Sequence, residues 1–159
     1  MGMMQTKHRV VFTIVVFIIG CAVAVVGQEK QLKRSDLPAA VQKTADEQGK
    51  GATVKGYSQE REGGQVAYEV ALTVNGHSKD ITMDAQGNVM EIEEEVDLKA
   101  LPAEVREGLQ GQAGRGNIGK VESLTKRGAL VAYEAQVRHG KKHLEIQVGP
   151  DGKALDHKE

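Results

Sequence analysis

Tryptophan is absent from this 159-residue chain, and cysteine occurs once, as Cys21. Aromatic residues make up only 3% of it: Phe12, Phe17, Tyr57, Tyr68 and Tyr133. A single cysteine allows no intrachain disulfide, so the fold must rest on aliphatic packing. So few rings supply no stacking platform of the kind that holds single-stranded nucleic acid. Charge of one sign is also missing. The 21 Lys and Arg stand against 22 Asp and Glu, a net charge of −1. That balance offers no basic face to track phosphates, which makes nucleic acid a poor partner for this chain.

Long hydrophobic runs are scarce as well. The one present, Val10 to Ile19, is interrupted only by Thr13 and follows Lys7, His8 and Arg9. A basic start, an apolar stretch and small residues up to Gly27 predict an export leader over residues 1–27. Cleavage is expected after Val25-x-Gly27, or after Ala22-x-Ala24. A rival reading takes Ile18-Ile19-Gly20-Cys21 as a lipobox, leaving Cys21 lipidated and the protein tied to a membrane only through it. Removal of residues 1–27 leaves 132 residues. Lys7 and Arg9 go with the leader, so 19 basic residues face 22 acidic ones, net −3.

What the chain does have is a repeat. Leu37-Pro38-Ala39-Ala40-Val41 returns as Leu101-Pro102-Ala103-Glu104-Val105, and Val66-Ala67-Tyr68-Glu69 as Val131-Ala132-Tyr133-Glu134. The offsets, 64 and 65 residues, differ by a single gap. In each copy a proline begins a short helix with one apolar stripe. The stripe is Leu37, Val41 and Ala45 in the first, and Leu101, Val105 and Leu109 in the second. Gly108 and Gly111 make the second helix the frailer, at about 1 kcal/mol each relative to alanine.

The period then falls to two. Val66, Tyr68, Val70, Leu72 and Val74 alternate with polar or small residues, as do Val131, Tyr133, Ala135 and Val137. Asn75-Gly76 and His139-Gly140 read as hairpin turns. Last strands are expected at 88–96 and 153–157. The predicted fold is α+β: a tandem duplicate of a helix plus a four-stranded antiparallel sheet, the helices packed on one sheet face. Residues 28–36 form a polar tether, 37–98 the first unit and 99–159 the second.

The run L-P-x-x-V, then V-x-Y-E, then the Asp84-x-x-Gly87 turn resembles the PepSY-like group. The tandem form is similar to β-lactamase-inhibitor-like proteins built from two PepSY-type units. The resemblance spans residues 37–159. It implies export, helices on one side of an antiparallel sheet, and binding or inhibition rather than catalysis, with peptidases as the first partners to test. It brings no catalytic residues and no cofactor.

Other motifs weigh little. Gly114-Arg115-Gly116-Asn117-Ile118-Gly119-Lys120 imitates a phosphate-binding loop. Such a loop must leave a strand and open a helix, and here a helix precedes and a strand follows. Ser123-Leu124-Thr125-Lys126 matches S-x-x-K, but on a strand its serine and lysine point to opposite faces. Tyr68 and Tyr133 share parity with valines and read as core. His139 and His143 flank a hairpin and could approach one another, though two imidazoles make a weak metal site, and no metal is assigned. Glu91, Glu93, Glu94, Glu95 and Asp97 form the one acidic cluster, read as a solvated edge strand guarded by charge.

No nucleophile–base pair is present to populate an active site. The expected function is an exported, non-catalytic module that presents an open sheet face to a protein or peptide. Glu69, Thr73, Glu134, Gln136 and Arg138 are assigned to that face. The alternative is an envelope sensor of small ligands or cations, using the acidic strand and the hairpin histidines.

Overall fold

The computed structural model describes residues 29–62 and 65–159. The expected leader, its cleavage sites and Cys21 lie outside the described residues. Among those described, no helix is long and apolar enough to cross a membrane.

Among the described residues, eight strands form one antiparallel sheet in strict chain order. They are β1 (Lys30–Leu32), β2 (Thr53–Glu62), β3 (Gln65–Val74), β4 (His77–Met83), β5 (Val89–Glu95), β6 (Asn117–Lys126), β7 (Ala129–His139) and β8 (Lys142–Val148). Helix α1 (Ala39–Gln48) precedes β2, and α2 (Ala103–Ala113) precedes β6. This corrects the expected architecture. There are not two four-stranded units but a single sheet, joined where β5 pairs with β6 from Glu91↔Lys126 to Glu95↔Glu122. The strand expected at 153–157 is reduced to one bridge, Val148↔Ala154. Within the 28–36 segment, Lys30–Leu32 adds to the β2 edge, and Arg34 ties it to α1 through Asp46 and Gln42.

The acidic strand is corrected too. Glu91, Glu93 and Glu95 do not guard an edge, because β5 lies in the middle of the sheet between β4 and β6. The edges are β1 and β8. A charged strand is tolerated there because Lys126 faces Glu91 at 3.6 Å and Lys79 faces Glu94 at 3.5 Å. Ser78 N–H donates to Glu95 Oε2 at 2.9 Å.

Pro38 and Pro102 occupy the N-cap positions of the two helices. The apolar stripes are buried as the spacing requires. Leu37, Val41 and Ala45 pack on Val70, Leu72, Ile81 and Met83. Leu101, Val105 and Leu109 pack on Val121, Ala135 and Val148. Tyr68 and Tyr133 pack partly buried against these two clusters. Strand parity through Ile81↔Ile92, Ile92↔Thr125 and Val121↔Ala135 puts both clusters on one side of the sheet. Both helices therefore cover the same face. Asn75 (φ 51°) and Gly76 (φ 91°) form the β3–β4 turn in the left-handed conformation that an Asn-Gly pair adopts readily.

Candidate functional site

Both described helices lie on one side, and among the described residues no layer covers the other face of the sheet. Pairing fixes which side chains it carries. Ser58, Glu69, Thr82, Glu91 and Lys126 line one row across it. Ala71, Asp80, Glu93, Leu124 and Ala132 line the next. Glu95, Glu122, Glu134 and Gln147 continue toward β8.

All five residues assigned from the sequence share this face, but they fall into two groups. Glu69 and Thr73 stand on β3, while Glu134, Gln136 and Arg138 stand on β7, with three strands between. At about 4.8 Å per strand that is a gap of roughly 19 Å. Asp80, Glu91, Glu93, Glu95 and Glu122 fill it. The sequence pattern singles out Glu91, Glu93 and Glu95 as an acidic strand without joining them to this face, and leaves Asp80 and Glu122 unassigned. Their parity was legible. Asp80 precedes core residue Ile81, and Glu93 alternates with Ile92. Their common surface was not legible, because the periodicity within each half does not show that β5 pairs with β6.

The floor of this face is shielded from water although no helix lies on it. Ser58, Ala67, Leu124, Ala132, Glu122 and Gln147 are all buried. Long neighbouring side chains produce part of this shielding. The 154–159 segment contributes as well: Glu159 N–H donates to Gln147 Oε1 at 2.9 Å, and its carboxylate lies 3.9 Å from Lys126 Nζ.

Carboxylates in such a setting are poorly hydrated, and desolvation favours their neutral form. Burial, with Asp80, Glu29 and Glu60 nearby, pushes Glu69 up to about 7. Burial and the charges of Glu122 and Glu91 push Glu93 up to about 8. Asp80 and Glu134 are raised as well, burial being the main cause in each. Gln147 Nε2 moderates Glu134 by donating to it at 2.8 Å. Glu122 forms an ion pair with Lys120, whose ammonium lies 2.6 Å from Oε1. Burial works against the Lys120 charge, but Glu122, Asp80 and Glu95 outweigh it and raise its pKa. Asp80, Glu93 and Glu122 each offer an oxygen within 4.8 Å of the other two.

The remaining motifs resolve simply. His139 and His143 pair with Lys142 and Arg138, which puts them on opposite sheet faces, so the hairpin does not bring them together. Gly114 to Lys120 joins α2 to β6, the reverse of a phosphate loop. Ser123 and Lys126 diverge across β6. A shallow groove of about 560 Å³ opens beside Gln65, Asp84, Met90 and Arg127. Its one carboxylate, Asp84, accepts hydrogen bonds from Gln86 and Asn88 within its own turn. No nucleophile–base pair lines the groove.

No family model matches the chain, and neither does any curated protein. Solved structures share the fold. A BLIP-like protein of Bacteroides fragilis superposes with a TM-score of 0.59 at 21% identity, over 77% of this chain and 85% of that one. A DUF2874 family protein of Bacteroides ovatus gives 0.61 at 17% identity, over 76% and 85%. A candidate periplasmic protein of Bacteroides eggerthii gives 0.62 at 16%, over 75% and 86%. The likeness supports a BLIP-like fold, while the expected tandem of PepSY-type units is not shown. At these identities the likeness is one of fold.

Proposed function

We propose that the chain is an exported, non-catalytic binding module whose uncovered sheet face engages a protein or peptide partner. One observation carries the reading. Glu69 and Glu93 are half-buried carboxylates on a face no helix covers, and neither has a cationic partner among the described residues. Poorly solvated carboxyls of this kind, held largely or partly neutral near pH 7, are candidates for a functional surface. A basic segment of a partner would supply the missing countercharge. The likeness in fold to a BLIP-like protein and to a candidate periplasmic protein supports a non-catalytic module outside the cytoplasm. Peptidases remain the first partners to test.

Crosslinking in the native envelope, followed by identification of what is captured, tests this reading. Recovery of one specific partner is expected. Joint reversal of Glu69→Lys and Glu134→Lys should lower that recovery about tenfold or more, since charge reversal at an interface turns attraction into repulsion. Glu107→Lys, exposed on α2, serves as the control and should leave it unchanged. No specific partner, or equal loss with the control, would sink the proposal.

A second reading, cation sensing, has its own observation in the Asp80, Glu93 and Glu122 cluster. A ligand that binds only the folded state raises stability by about 2.7 kcal/mol at a hundred times its Kd. Thermal melts with calcium, zinc and nickel should then rise, and Glu93→Gln should abolish the rise. Unchanged melts would remove this reading.

A further inference from the structure

The two halves differ most at the strand that follows the last hairpin, and the difference leaves an edge open. In the first half β4 is covered by β5, beginning at the pair Met83↔Val89 and including Ile81↔Ile92. At the repeat offset of 65 these positions become Val148↔Ala154 and Ile146 opposite His157. The first pair forms and the second does not. A histidine in place of Ile92 gains nothing on the apolar side beside Ile146. The chain instead turns onto the uncovered face, where Glu159 meets Gln147 and Lys126. The 155–158 segment still passes beside Glu145 and Ile146, with Lys158 Nζ 3.6 Å from Glu145 Oε2. No described strand, however, pairs with the outer edge of β8 from Lys142 to Ile146 as β5 pairs with its counterpart. Leu144 on that edge, 51% exposed, is the most exposed large hydrophobic residue of the described chain.

We propose that this edge pairs with the same edge of a second copy, antiparallel about a two-fold axis through Leu144. The side chains select both the occupant and the register. With Leu144 opposite Leu144 of the second copy, His143 meets Glu145 twice, once on each side of the axis. Lys142 lies opposite Ile146, its aliphatic stem along the apolar side chain and its ammonium in water. A shift by two residues would set Glu145 against Glu145 or His143 against His143. An odd shift would turn the helix-covered face of one copy against the uncovered face of the other. The surviving register is self-complementary, as an isologous contact requires. It joins two sheets edge to edge while both helix layers stay on one side. So short an edge buries little surface, so the association is reversible. The Ala154 bridge at Val148 stops the pairing from running further.

Sedimentation equilibrium of the purified protein, from about 10 μM to about 1 mM, tests the proposal in the range of a weak interface. A reversible dimer is expected. Leu144→Lys should weaken it about tenfold or more. His143→Glu should weaken it as well, by setting a new carboxylate against Glu145 of the second copy on each side of the axis. The double exchange His143→Glu with Glu145→His should restore it, a rescue that a merely structural role would not produce. These positions are exposed, and an unchanged circular dichroism spectrum will establish that each variant folds. A monomer at every concentration overturns the proposal, as does a dimer indifferent to Leu144→Lys or a double exchange that fails to rescue.

Discussion

Replacing Gly108 by alanine is expected to destabilise the protein by about 3 kcal/mol, with melting about 10 °C lower. Helix propensity alone would give the opposite sign, since alanine in a helix interior is favoured over glycine by about 1 kcal/mol. The reason lies in a close approach. A Cβ at Gly108 would stand 2.0 Å from the carbonyl oxygen of Gly152, and a Cβ at Gly152 would stand 2.1 Å from that of Glu104. Helix α2 and the turn after β8 therefore touch backbone to backbone, with no flexible side chain able to yield. In the first half the equivalent contact has a different solution. Gly87 still approaches Ala40, but Thr44 stands where Gly108 would be, and its hydroxyl donates to Gly87 O at 2.8 Å. Gly111 provides the internal control. A Cβ there meets nothing within 4 Å, so Gly111→Ala should stabilise by about 1 kcal/mol. Urea unfolding of the two variants decides the matter. Equal effects of the same sign would show that the contact between α2 and the turn does not form.

Stability is expected to rise, by about 2 kcal/mol in total, as the pH falls from about 8.5 to about 5.5. Glu69 and Glu93 bind their protons more tightly in the folded state, near 7 and 8, than at the ordinary value of 4.5. Between those values the folded protein holds more protons than the unfolded one, so stability falls with rising pH. Their contribution is complete below 4.5 and is lost as the pH climbs through about 7 and then about 8. The figure assigns about 1 kcal/mol to each group, because water screens carboxylates that are only half buried. Groups of the opposite kind limit the trend at its acid end. Glu95 is held below its ordinary value by the Ser78 N–H, and Asp84 by Asn88, so both stabilise the fold above that range and lose their effect in acid. Chemical denaturation across this pH range provides the measurement. Glu69→Gln with Glu93→Gln should flatten the profile and raise stability at pH 8.5. A wild-type profile that rises with pH instead would show these carboxyls to be well hydrated.

The alternation of Val66 to Val74 and the stripe of Leu37, Val41 and Ala45 were enough to place a strand and a helix and to name their buried sides. Periodicity is a local signal, and each of these elements buries one side of itself. Residues Glu69, Thr73, Glu134, Gln136 and Arg138 could be assigned to a common polar face for the same reason. Their separation into two groups was not legible, since it depends on how many strands intervene. The acidic strand shows the limit well. Glu91, Glu94 and Glu95 have the charge of an edge strand, and only their partners Lys126, Lys79 and Ser78 explain its place in the middle of the sheet.

The sequence by itself determined the repeat, the two proline-led helices, the hairpin turns and the inward or outward direction of most strand residues. These follow from dihedral preference and from the placement of apolar groups a few residues apart. Only the tertiary structure decided that β5 and β6 join the halves into one sheet, and that the segment after Ala154 does not continue as a strand along β8. It also decided that Gly108 is a point of contact rather than a weakness in a helix. Each of these draws on contacts between residues far apart in the chain: Glu91 with Lys126, Glu159 with Lys126, Gly108 with Gly152. Distances of that kind are set by the packing of whole layers, to which a local pattern of residues is blind.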